Sequence, residues 1–210
     1  MANIGRRQFF QSAIGGAALF AAPTSATDII FKAGTGTHAG TGPSPFLLDR
    51  AKTALDAHRH RIRNRELLAI ADFSKPSRDA RFYLVNLQSG QSATFLVAHG
   101  KGSDPGHSGW VQSFSNTPGS EATSSGSFLV GEAYVGEHGR SRRLAGLDVQ
   151  NDQAEARAIV IHPAWYVSQT IAADQGKLGR SQGCFAFSQN DINEVLERLA
   201  PGTLLYADKV

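Results

Sequence analysis

The chain has 210 residues, and 41% of them are hydrophobic. This length and composition suffice for one domain with a substantial core, whereas two full domains would be cramped. The formal net charge is only +3, and no basic stripe is interleaved with aromatic residues, so nucleic-acid binding loses its main support and is not expected. The sequence also lacks a Gly-rich phosphate loop and internal repeats, which argues against doubly wound nucleotide-binding folds.

The first 26 residues have the pattern of an export signal. Arg6 and Arg7 precede an apolar run of residues 9–22, and the small residues 24–26 offer a cleavage site. The paired arginines resemble a twin-arginine signal, with a general secretory signal as the alternative. The apolar run is shorter than the ~20 residues that a membrane-spanning helix needs. We therefore expect residues 1–26 to be removed and the protein to be exported to the periplasm or cell envelope.

Removal of this signal leaves 19 basic against 18 acidic residues, because two of the 21 Lys and Arg residues lie in it and no acidic residue does. Residues 27–45 are rich in Gly, Thr and Pro and predict a flexible linker. Residues 46–210 are predicted to form the single domain, and no stretch within them is apolar enough for a membrane span.

The first predicted element is a helix that begins at Pro45, with Ser44 as its N-cap. An apolar stripe at helical spacing supports it and consists of Leu47, Leu48, Ala51, Leu55 and Ile62. The basic segment 58–65 is interpreted as the end of this helix, where the helix dipole favours cations.

Short strand-like runs separated by turn residues follow the helix. They are predicted over residues 67–73, 82–87, 94–98, 127–130, 158–162 and 204–207. The second and third form a hairpin through residues 88–91, and residues 100–127 predict a long ordered loop over a cleft. A last helix is predicted after Ser188 from the apolar face Ile192, Val195, Leu196 and Leu199. The predicted fold class is therefore mainly β with a few peripheral helices.

The chain has one cysteine, Cys184, and an unpaired thiol in an oxidising compartment is open to oxidation. It is an inert buried thiol, half of an intermolecular disulfide, or a catalytic nucleophile. Its setting favours the nucleophile, because Gly183 before it permits a sharp turn. The backbone N–H groups of Gly183 and Cys184 are then candidate donors to an oxyanion.

His162, at the end of a predicted strand, is the candidate base for this thiol, which needs one to become a thiolate near neutral pH. A purely structural histidine is the alternative. A zinc site is another, and it would have to gather its ligands from His99, His107, His138, His162, Asp104 and Glu132. No His-Glu-x-x-His pattern occurs, so no metal is expected.

Together these residues resemble the L,D-transpeptidases with YkuD-like catalytic domains, whose signature is a strand-end histidine followed later by Ser-x-Gly-Cys. Here the two elements are Ile161-His162 and Ser181-Gln182-Gly183-Cys184. Further similar segments are Val97 to Ser103, Ser113 to Asn116, Gly131-Glu132 and Leu178 to Ser181. The resemblance covers residues 65–207.

The resemblance implies a β-sandwich or β-barrel catalytic domain that acts on peptidoglycan stem peptides without a cofactor. Cys184 would attack a stem tetrapeptide between its L-centre diamino acid and the terminal D-alanine, forming a thioester, while His162 would move the proton. An amine of a neighbouring stem then gives a cross-link, and water gives carboxypeptidase activity. The alternative outside catalysis is a wall-binding module in which Cys184 is simply buried.

The other candidate site residues are assigned to substrate or oxyanion binding, and they are Gly183, Ser181, Gln182, His99 and Arg180. His99 is expected either to line the cleft or to cap a strand, and Ser181 to close the turn or to contact substrate. Arg180 or Arg142 would hold a stem carboxylate, with a solvated surface arginine as the alternative. The chain departs from the family in carrying Pro163 where many members have Gly, and in lacking an arginine shortly after Cys184.

Overall fold

The computed structural model describes residues 42–210. The predicted signal and most of the predicted linker lie outside the described residues, so both stay predictions. The described part contains three α-helices, which are α1 (Pro45–Ala57), α2 (Gln169–Gln175) and α3 (Ile192–Arg198). Its eight strands are β1 (Asn64–Asp72), β2 (Phe82–Asn86), β3 (Ser92–Phe95), β4 (Gly126–Gly136), β5 (Gly139–Gly146), β6 (Val160–Pro163), β7 (Phe185–Phe187) and β8 (Thr203–Asp208).

All eight strands belong to one sheet in the order β3-β2-β1-β8-β4-β5-β6-β7. Neighbouring strands are antiparallel except for the pairs β1–β8 and β6–β7, which are parallel. An isolated antiparallel bridge joins Ala98, beyond β3, to Ala186 of β7, so the two ends of the sheet meet. The mainly β fold class predicted from the sequence is confirmed.

Helix α1 begins where the sequence predicts, because the Ser44 hydroxyl accepts a hydrogen bond from the Leu47 N–H at 3.2 Å. Its buried side consists of Leu47, Ala51 and Leu55, which pack in one core cluster with residues of β1 and β8. Burial of each leucine contributes roughly 1.5–3 kcal/mol, so packing rather than propensity holds this helix in place.

The interpretation of residues 58–65 as the end of this helix is wrong. The helix ends at Ala57, and Ile62 is buried in the same core from outside the helix. Arg65 instead reaches back from β1 and donates to the Leu55 carbonyl at 3.2 Å. A basic side chain therefore does satisfy the last turn of α1, but from the following strand.

Four fully buried phenylalanines anchor β7, the shortest strand. Phe187 packs edge-to-face on Phe82 with 4.7 Å between ring centroids, and Phe185 packs on Phe128 at 5.4 Å. These contacts fix the strand that immediately follows Cys184.

The hairpin of β4 and β5 is much longer than the strand predicted over residues 127–130. Past Val130 most residues of β4 are exposed, so they carry no alternating apolar pattern that a sequence analysis can detect. The predicted loop 100–127 is confirmed up to the start of β4, with a single 3₁₀ turn at Lys101–Ser103. Among the described residues, no helix combines the length and apolar character needed to cross a membrane.

Candidate active site

The parallel pairing of β6 and β7 brings His162 and Cys184 together. Ile161 pairs with Phe185, and His162 pairs with Ala186. Because side chains alternate along a strand, Cys184 points to the same side of the sheet as His162, opposite the buried Ile161 and Phe185. The two candidate residues are therefore diagonal neighbours on adjacent segments.

A tight turn presents Cys184, and it depends on Gly183. Gly183 has φ +114°, and a Cβ there would lie 2.8 Å from the Ala122 carbonyl oxygen. The Ser181 hydroxyl closes the turn by accepting from the Gly183 N–H at 3.1 Å and donating to the Cys184 carbonyl at 2.7 Å. The Gly183 N–H is thus occupied within the turn, while Gln182 between these residues is exposed.

The Cys184 thiol is partly exposed and donates to the Ala158 carbonyl at 3.6 Å. Ala158 itself has φ +52°, a left-handed conformation that costs a non-glycine residue energy and that recurs at functional sites. Burial raises the pKa of the Cys184 thiol, and the Val160 N–H and the Arg157 guanidinium act in the opposite direction. The thiol consequently needs a base to react near neutral pH.

The backbone orients the ring of His162. The residue is 4% exposed, and Nδ1 lies 2.9 Å from the Pro163 carbonyl oxygen. A carbonyl can only accept, so the proton lies on Nδ1 and Nε2 is left with a free lone pair. Burial lowers the pKa of His162, which keeps the ring neutral at pH 7. Pro163 thus supplies the backbone partner that the sequence did not identify.

His138, at the tip of the β4–β5 hairpin, covers His162. The two rings stack with 4.4 Å between centroids and 29° between planes. From the sequence, His138 was a candidate only as a metal ligand, since no local pattern links the β4–β5 turn to β6. Among residues 42–210, no group of three or more His, Cys, Asp and Glu side chains gathers as a metal site would require.

His99 does not face a cleft. Its side chain is fully buried, Nδ1 accepts from Arg81 at 2.7 Å, and Nε2 lies 3.4 Å from an oxygen of Asp104. Burial and then the Arg81 charge lower the pKa of His99 to about 3. Its carbonyl accepts from the Ser181 N–H at 2.9 Å, so the His99 segment supports the Cys184 turn from behind.

The two arginines proposed for a stem carboxylate both bond to backbone carbonyls. Arg180 donates from Nη1 to Asp104 and, at 3.2 Å, to Pro105. Arg142 is buried and donates to Gly131 at 3.1 Å and to Leu196 at 2.7 Å. A third arginine, Arg157, carries a charge that lowers the pKa of the Cys184 thiol. It could not be identified from the sequence, because no motif surrounds it.

A family model described as the L,D-transpeptidase catalytic domain matches residues 43–207. Similar solved structures include an L,D-transpeptidase from Mycobacterium tuberculosis, with 12% identity, a TM-score of 0.42, and coverage of 69% of this chain and 58% of that chain. They also include an L,D-transpeptidase from Xylanimonas cellulosilytica, with 16% identity, a TM-score of 0.41, and coverage of 76% of this chain and 69% of that chain. A third is the helical cell shape determining protein Pgp2 from Campylobacter jejuni, with 10% identity, a TM-score of 0.45, and coverage of 76% of this chain and 54% of that chain.

This chain spans only 59% and 58% of the length of two L,D-transpeptidase chains whose solved structures it resembles. No curated protein matches it. The family model covers most of the described residues, including the segments that carry His162 and Cys184. The chain therefore belongs to the family of L,D-transpeptidase catalytic domains.

Proposed function

We propose that the protein is a peptidoglycan L,D-transpeptidase that works through a thioester on Cys184. The observation that carries the proposal is the placement of Cys184 and His162 on one side of the β6–β7 pair. Family membership and the hydrogen bond that holds Nδ1 of His162 to the Pro163 carbonyl support it. The proposed location is the periplasm or cell envelope, in line with an enzyme acting on the wall.

In the first half-reaction, Nε2 of His162 takes the proton of the Cys184 thiol as sulfur attacks the stem carbonyl. The bond to the terminal D-alanine breaks, and the departing amine takes up the proton from His162. The products are a thioester on Cys184 and free D-alanine. Because the thiol pKa is raised and the His162 pKa is lowered, the proposed proton transfer accompanies the attack instead of preceding it.

In the second half-reaction, an amine of a neighbouring stem attacks the thioester and loses a proton to His162. The cross-link forms, and the thiolate leaves and regains its proton. Gln182 and Arg180 remain proposed substrate contacts, since Gln182 is exposed beside Cys184 and Arg180 is partly exposed. Gly183 is proposed to shape the oxyanion site through its turn, with the Cys184 N–H as donor.

The test is to incubate the purified protein with a disaccharide tetrapeptide and to separate the products by chromatography and mass spectrometry. The proposal expects a cross-linked dimer and released D-alanine with the wild-type protein and neither with Cys184→Ala. A tripeptide product without dimer would assign the protein as a carboxypeptidase. Equal product from Cys184→Ala would rule out the thioester route.

A further inference from the structure

The guanidinium of Arg157 forms hydrogen bonds with the loop 115–124, which packs against the turn that carries Cys184. Nη1 donates to the Ser115 carbonyl at 2.8 Å and to the Ser124 hydroxyl at 2.7 Å. Nη2 donates to the Ala122 carbonyl at 2.5 Å and to the Ser120 hydroxyl at 3.3 Å. All four Nη hydrogens are therefore used, and they fix both sides of the loop 115–124.

The same guanidinium lies against the turn that presents Cys184. Nη2 is 3.2 Å from the position that a Cβ on Gly183 would occupy, and the Ala122 carbonyl oxygen is 2.8 Å from that position. The loop and the cysteine turn are thus packed together at Arg157. Two of the three non-glycine residues with positive φ in the described chain, Glu121 and Ala158, flank this contact.

Among the described residues no carboxylate neutralises the charge of Arg157. Within residues 42–210 no Asp or Glu forms an ion pair with Arg157, and the acceptors around it are carbonyls and hydroxyls. A partly buried arginine in such surroundings is costly unless an anion forms nearby. The Cys184 thiol is the group whose ionised form its charge stabilises.

We propose that Arg157 is a positioning residue of the thiol site, which holds the loop 115–124 against the Cys184 turn and favours the thiolate by its charge. The inference rests on the proposed function, in which that sulfur is the nucleophile. Arg157 makes two contributions in this proposal. Its hydrogen bonds set the geometry of the loop 115–124, and its charge acts on the sulfur of Cys184.

The experiment is the pH dependence of Cys184 alkylation by iodoacetamide, followed by intact mass, which reports one thiol because the chain has one cysteine. Arg157→Gln removes the charge and is expected to move the midpoint up by about one pH unit, which slows alkylation near pH 7 about tenfold. Arg157→Lys keeps the charge and is expected to stay close to the wild-type midpoint. Arg59→Gln, an exposed arginine, is the matched control and is expected to change nothing.

Ser124→Ala guards against a folding artefact, because it removes one loop contact and keeps the guanidinium. It is expected to leave the alkylation midpoint unchanged and to lower the melting temperature. The inference is overturned if folded Arg157→Gln keeps the wild-type midpoint, or if Ser124→Ala shifts the midpoint as much as Arg157→Gln does.

The outcome is independent of the proposed function, since alkylation needs no stem peptide. A shifted midpoint in Arg157→Gln together with a wild-type protein that makes no thioester would keep the role of Arg157 and refute the transpeptidase. Thioester formation by the wild-type protein, together with an unshifted alkylation midpoint in Arg157→Gln, would support the transpeptidase and refute the role of Arg157.

Discussion

The ring of His138 lies stacked on the ring of His162, with 4.4 Å between their centroids, and it reaches that ring from the turn between β4 and β5. The contact is made by an otherwise exposed hairpin tip, and a Cβ placed on the neighbouring Gly139 would lie 3.9 Å from Cγ of Pro163. The position of the hairpin and the electrostatics of the proposed base are therefore linked.

The first prediction concerns this stack. Burial is the main cause of the lowered pKa of His162, and the charge of His138 lowers it further, so His138→Phe, which keeps an aromatic contact and removes the charge, should raise the pKa of His162. The acid limb of any His162-dependent reaction should move to higher pH by up to about one unit. NMR titration of the His162 ring protons measures this, with exposed His60→Phe as the control. An unchanged pKa of His162 would show that the charge of His138 does not act on the His162 ring.

The second prediction concerns the Cys184 turn. Gly183→Ala places a Cβ at φ +114° and 2.8 Å from the Ala122 carbonyl, so the turn must shift. We expect a loss of unfolding free energy of about 3 kcal/mol, measured by urea denaturation, together with slower reaction of Cys184.

Gly90→Ala is the matched control for this prediction, because Gly90 also has positive φ, +72°, but apart from its chain neighbours no atom lies within 4 Å of the point that a Cβ there would occupy. It should cost about 1 kcal/mol from backbone conformation alone. Equal costs at the two glycines would show that the close approach to Ala122 does not matter.

The third prediction is a loss of stability in acid. The pKa of His99 is about 3 in the folded protein, whereas an unfolded histidine titrates near ~6.5. Between these values the unfolded chain binds a proton that the folded chain does not, so the unfolding free energy falls as the pH drops. The slope approaches about 1.4 kcal/mol per pH unit, or about 2 kcal/mol lost by pH 5.

His99→Gln should flatten this dependence while lowering stability at pH 7, where the bond to Arg81 is lost. Part of the slope should remain, because the pKa of His162 is lowered as well. Urea unfolding between pH 7 and pH 4.5 measures both slopes. The same slope in the variant and the wild type would show that His99 is not the titrating group.

Features that the sequence predicted correctly are encoded locally. The Ser44-Pro45 start of α1 and the β2–β3 hairpin depend on residues only a few positions apart in the chain. The conformational preferences of such neighbouring residues can be recognised directly in the sequence. The placement of Cys184 beside His162 depends on the parallel register of β6 and β7, and β7 has only three residues.

The residues that the sequence analysis missed reach the site from distant elements. His138 stands on an exposed hairpin and Arg157 in a turn, and neither position carries a pattern that indicates its partner. His99 shows the opposite case: its motif was recognised, but only the fold reveals that Arg81 and Asp104 enclose it in the core. Tertiary contacts, not composition, decide these roles.

The measurement that tests the central claim most directly is the intact mass of the protein after exposure to a carbapenem, with peptide mapping of the modified residue. The account predicts one acyl adduct on Cys184 in the wild type, none in Cys184→Ala, and an adduct that forms at least about 100-fold more slowly in His162→Gln. No adduct on folded wild-type protein across pH 6 to 9, or equally fast acylation of His162→Gln, would contradict it.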